Sequence, residues 1–198
     1  MADETAMVDR LIEQLQGKAQ YYDGAGGKLG FFASWTTRHY EENTRIYAAR
    51  LLCKKATPAN QSKIVDALLE ALKNGADDRD TGDGIIFNRS EITFALARIS
   101  DEKAIRPLLQ TLVGKNKIPM INYKGEPPQI KLGKTSSNLN IIRALGSFKG
   151  PEAENAALIL EIIKDTPQDA EIEKELQDAI DRINNADFPE DLLMSPIR

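Results

Sequence analysis

Few side chains in this sequence are of the kind that carries chemistry, and their spacing narrows the options further. His39 is the single histidine and Cys53 the single cysteine. A Ser-His-Asp or Cys-His set would have to use that one imidazole, and no nucleophile constellation accompanies it. Cys53 falls on the apolar stripe of an expected helix, where a thiol serves as inert packing. One thiol closes no intramolecular disulfide and offers a thiolate metal site a single ligand, which sets aside redox and zinc-finger readings. Carboxylates gather in GADDRDTGDG, where Asp78, Asp80 and Asp83 are the calcium candidates. An EF-hand needs acids at alternate positions and a glycine directly after the third, and Gly82 interrupts that order, so a solvated acidic loop is the preferred reading. GAGGKLG is no phosphate loop, since no Lys-Ser or Lys-Thr follows it and no strand precedes it.

Two further segments stand out by residue type. Tyr21, Tyr22, Phe31, Phe32, Trp35, Tyr40 and Tyr47 crowd one glycine-interrupted stretch. These rings either plug the first core layer, which is the favoured reading, or present a binding surface on which Trp35 and Tyr40 are the candidates. Between residues 114 and 135 the chain carries Lys115, Lys117, Lys124, Lys131 and Lys134. Apolar residues flank Lys124-Gly125-Glu126-Pro127-Pro128, so the pattern suggests a β-hairpin. A lysine set with no arginine fork is read as a solvated rim, with Lys117, Tyr123 and Lys131 as partner-binding candidates if it is more than that.

The elements that must position these residues are helical. Ile92, Ala95, Leu96 and Ile99, and then Ile105, Leu108, Leu109 and Leu112, repeat every third or fourth residue, which predicts two amphipathic helices joined by the turn Ser100-Asp101. A similar unit recurs around Ala144 and, upstream, around Ala49, at spacings of 46 and 49 residues. Small residues at these three positions let helix axes approach closely, so all three should be buried. Thr57-Pro58 and Thr166-Pro167 read as N-cap and first-turn pairs opening later helices. Residues 5–16, with Met7, Val8, Leu11, Ile12 and Leu15, form one amphipathic end, and the acid-rich stretch around Ile172, Leu176, Ile180 and Ile183 forms the other.

The stretch ALARISDEKAIRPLLQTL resembles the HEAT-like repeat of the phycobilisome-lyase type, whose pattern is Ala-Leu-Gly-x-Ile-Gly-Asp followed by Ala-Ile and Pro-x-Leu-x-x-Leu. IIRALGSFKGPEAENAALIL repeats it with Gly150 in the place of the aspartate, and IYAARLLCKKATPANQSKIVDALLEAL is a more divergent copy. The resemblance implies an all-α, right-handed α-solenoid of about three HEAT-like helix pairs with capping helices at both ends. It makes residues 1–198 a single domain, with an N-terminal cap and aromatic segment at 1–43, repeats at 44–164, and a C-terminal cap and tail at 165–198. It also implies partner binding on a face lined by second helices, for which Lys63, Asp66, Glu70, Arg106 and Gln110 are the candidates.

The function read from this is a non-catalytic protein–protein interaction scaffold or adaptor with a protein or peptide partner and no cofactor. HEAT-like enzymes of the chromophore-lyase or DNA-glycosylase type, or a nucleic-acid-binding accessory protein, are the alternatives. Di-iron hydroxylases with HEAT-like repeats use repeated His-Glu pairs, whereas Tyr40 follows His39 here, which excludes that class. A net charge of −4 argues against general nucleic-acid binding, and no apolar run reaches membrane-spanning length. The acidic Met1-Ala2-Asp3-Glu4 start carries no export signal, so a cytoplasmic location is expected, with a periplasmic one as the alternative if a leader has been removed. The partner site is expected between the aromatic segment and the loops at 74–87 and 114–135.

Overall fold

A computed structural model describes residues 2–16, 44–74, 89–114, 118 and 128–185. Among these residues every regular element is helical: α1 (Ala2–Leu15), α2 (44–55), α3 (Gln61–Asn74), α4 (Arg89–Ile99), a single 3₁₀ turn at Glu102–Ala104, α5 (Ile105–Val113), α6 (Ser136–Leu145), α7 (Pro151–Lys164) and α8 (Ala170–Asn184). The all-α expectation therefore holds for them. None of these helices is long and apolar enough to cross a membrane. The chain divides into two compact units, Met1–Ala95 and Leu96–Arg198, with the division inside α4.

The first unit is organised by three apolar stripes. Val8, Leu11 and Leu15 of α1 are buried, as are Ala48, Ala49 and Leu52 of α2 and Ile64, Val65, Leu68 and Leu72 of α3. The predicted α1 stripe is narrower than its sequence pattern, since Met7 is exposed and Ile12 only half-buried. Lys63 Nζ stands 2.5 Å from Asp9 Oδ1, and Gln16 Nε2 donates to Glu70 Oε2 at 3.0 Å. Both pairs are 54 residues apart, so the contacts advance together along the two helices and α1 and α3 run parallel.

The second unit packs α5 against α6 and α7, and α8 against α6 and α7. The stripe Ile105, Leu108, Leu109 and Leu112 is buried as its spacing requires, together with Ile141, Ile142 and Leu145 of α6, Leu160 and Ile163 of α7, and Ile172, Leu176 and Ile180 of α8. Arg143 meets Glu175, Gly146 meets Ala179, and Lys149 donates to the Arg182 carbonyl. These pairs also advance together, so α6 and α8 run parallel. A Cβ on Gly146 would stand 2.8 Å from the Cα of Ala179, so only glycine admits this approach. Ala49, Ala95 and Ala144 are buried, as expected of close-packed positions.

The helix starts differ from expectation in an instructive way. Thr57-Pro58 and Thr166-Pro167 were expected to begin helices directly, yet α3 begins at Gln61 and α8 at Ala170. At α8 the residue three after the threonine takes over, whereas at α3 the Thr57 carbonyl still accepts the Gln61 amide at 2.8 Å. Asn60 Oδ1 accepts from the Thr57 amide at 2.7 Å, and the Asn60 carbonyl receives the Ile64 amide. Asp169 accepts from the Glu171 amide at 3.0 Å. The Asp169 carboxylate reaches a free N–H group at the start of α8, whereas Asn60 reaches back to the Thr57 amide, as the third residue of a reciprocal cap does. Elsewhere the helix starts are capped in the usual ways. Asp101 accepts from the Lys103 amide, Thr135 from the Asn138 amide, and Pro151 sits at the first turn of α7.

Candidate functional site

Charged groups in each unit are arranged as a guanidinium clamping a carboxylate across two helices. Arg143 projects from the last turn of α6 and Glu175 from the second turn of α8. Nε of the arginine donates to Oε2 at 2.8 Å while its terminal nitrogen donates to Oε1. In the first unit, Arg50 of α2 grips Glu91 of α4 in the same two-point manner, with Nε to Oε2 at 2.9 Å. This fork geometry matches the planar guanidinium to the carboxylate and is the strongest form of such a pair. In both cases the hydrogen bond to the glutamate is the main cause that raises the arginine pKa, partly opposed by burial. Each glutamate lies four residues before a buried alanine, Glu91 before Ala95 and Glu175 before Ala179. The arrangement fixes helices against one another.

Of the candidate partner-binding residues, Lys63, Asp66 and Glu70 lie along one face of α3 and are exposed, but Lys63 and Glu70 are engaged by Asp9 and Gln16 of α1. The edge of that face is thus covered by the N-terminal helix, and Asp66 stands between the two tethers. Arg106 is exposed and Gln110 half-buried, one turn apart on α5. Lys131 is exposed in the segment leading to α6. Trp35, Tyr40, Lys117, Tyr123, His39 and the calcium candidates Asp78, Asp80 and Asp83 lie outside the described residues. Among the described residues no group of three His, Cys, Asp or Glu side chains is placed to hold a metal ion. Cys53 is half-buried and its thiol donates to the Arg50 carbonyl at 3.2 Å, so it is less enclosed than its stripe position suggests.

Residues 128–135 form no strand, although the sequence pattern suggests half of a hairpin there. Their backbone is held by side chains from the connection between α7 and α8. The Thr166 hydroxyl accepts from the Ile130 amide at 3.0 Å, and Gln168 bridges the Ile130 carbonyl and the Leu132 amide at 2.7 and 3.0 Å. Sequence reasoning missed Gln168 altogether, because a lone glutamine after Thr-Pro carries no local signal. It also missed both clamps, whose partners lie 41 and 32 residues apart. The recurring glutamate four residues before an alanine was the one trace they left. No protein-family model, curated protein or solved structure matches the chain.

Proposed function

We propose that the chain is a HEAT-like α-solenoid that acts as a non-catalytic scaffold for a protein or peptide partner. The observation that carries this reading is the direction of the helices. In each unit, helices separated by one intervening element, α1 and α3 in the first and α6 and α8 in the second, run parallel and are tied by residue pairs that advance together along both helices. Stacking antiparallel helix pairs produces that relation, because like helices of successive pairs lie side by side. The buried alanines at 49, 95 and 144 support the repeat resemblance.

A solenoid presents polar, exposed side chains of its second helices to partners, and Arg106 of α5 is of that kind, with the half-buried Gln110 one turn further on. The test is affinity capture from the source cell followed by mass spectrometry, with Arg106→Glu as the comparison. A specific protein retained by the parent and lost by the variant is the expected result. Tight binding of a chromophore or a damaged base with no protein partner would overturn the scaffold reading in favour of a HEAT-like enzyme.

A further inference from the structure

We propose that the connection between α7 and α8 is a docking site for an extended peptide carrying two apolar residues and a lysine at alternate positions, and that the chain fills this site with its own residues 130–134. Ile130 and Leu132 are each only 6% exposed, whereas Gln129, Lys131 and Gly133 between and beside them are exposed. That alternation is the signature of an extended segment with one face down. The next residue on the same face, Lys134, reaches Glu171 at 2.9 Å and Asp169 at 3.6 Å at the start of α8.

The recognition acts through main-chain atoms. Gln168 donates from Nε2 to the Ile130 carbonyl and accepts at Oε1 from the Leu132 amide, so its carboxamide engages residues i and i+2 as the backbone of a neighbouring strand would. Thr166 takes the Ile130 amide. The Gln168 carboxamide is oriented beforehand by a second bond from Nε2 to the Ile163 carbonyl at the end of α7, at 2.9 Å. Peptide recognition by strand addition has this form, with main-chain bonds giving affinity and alternate side-chain seats giving selectivity. None of these bonds belongs to the α6–α8 register, which Arg143, Gly146 and Lys149 hold separately. The segment is therefore able to leave without unpacking the helices, and a tethered occupant competes with any free peptide at a high effective concentration. This inference stands apart from the scaffold reading, since it rests on the α7–α8 connection alone.

The experiment uses the full chain with Ile130→Asp and Leu132→Asp, which empties the site, and a fluorescent synthetic peptide of residues 128–135 (PQIKLGKT). Anisotropy titration should show saturable binding to the emptied chain. Binding should be at least tenfold weaker to the wild type, whose own segment competes, and at least tenfold weaker to the emptied chain that also carries Gln168→Ala. An emptied chain that keeps its helical circular dichroism yet binds this peptide no better than one with aspartates at both apolar positions overturns the proposal. If the emptied chain loses its helicity, hydrogen exchange of the wild type decides instead. The Ile130 and Leu132 amides should be protected, and Gln168→Ala should speed their exchange at least tenfold while Lys131 is unchanged. Exchange at 130 and 132 already as fast as in the free peptide would refute it.

Discussion

The Arg50–Glu91 and Arg143–Glu175 clamps share their geometry and differ in their surroundings. The Arg50 side chain is 58% exposed and its glutamate 14%, against 27% and 9% for Arg143 and Glu175. A well-solvated pair gains little over two hydrated ions, while a pair withdrawn from water leaves a costly orphan if one member is removed. The same two-point bond is therefore a surface tie in the first unit and a structural requirement in the second. The second unit adds to its clamp the glycine-to-alanine contact between α6 and α8 and the Lys149 bonds to the carbonyls of Arg182 and Asn185.

Substitutions sharpen this contrast. The largest expected effect is at Gly146, because the obstacle is the Ala179 main chain, which cannot yield as a side-chain tip does. Gly146→Val should cost about 3 kcal/mol or more by overpacking, read from equilibrium urea unfolding. Loss of less than a third of that would mean α6 and α8 tolerate wider separation. Arg143→Ala should come next, at about 2–3 kcal/mol, because Glu175 is left enclosed without its partner. Arg143→Ala/Glu175→Ala together should recover part of the loss in a double-mutant cycle, and strict additivity would show that the clamp carries no coupling.

Thr93 reverses the sign. Its side-chain oxygen is fully buried in α4 without a hydrogen-bond partner, so Thr93→Val should raise stability by about 1 kcal/mol. An unchanged or lower unfolding midpoint would show that the hydroxyl finds a partner in solution. Arg50→Ala should have the smallest effect, about 0.5 kcal/mol, and that loss should shrink as salt is raised. A loss equal to that of Arg143→Ala would erase the distinction between the two clamps. The pH dependence of the α8 start is set by Lys134, whose pKa is raised first by its hydrogen bond to Glu171 and then by the charge of Asp169. A raised lysine contributes fully below its ordinary value of 10.5 and loses that contribution as the pH climbs through the folded value. Lys134→Met should therefore lower stability by a small, even amount from neutral pH up to about 10.5 and flatten the alkaline limb, where the wild type loses the same contribution.

Helix identity and the inward faces of α4 and α5 follow from the sequence alone, since the 3.6-residue period at 92, 95 and 96 and at 105, 108, 109 and 112 reports one buried stripe per helix. The alanine register at 49, 95 and 144 was legible for the same reason: small side chains recur where helices must come close. What the sequence misplaced was the start of α8, where Asp169 rather than Thr166 reaches a free amide, and the first regular turn of α3, which begins at Gln61.

The tertiary structure alone decided which charges meet and where the segment before α6 rests. Arg143 and Glu175 are 32 residues apart and Gln168 and Ile130 are 38 apart, separations over which no local period operates. Such partners are chosen by helix direction and offset, quantities set by the packing of Gly146 on Ala179 and of the apolar stripes as a whole. A periodic pattern tells each helix which side to bury, but many offsets bury it equally well, and only close packing selects one of them.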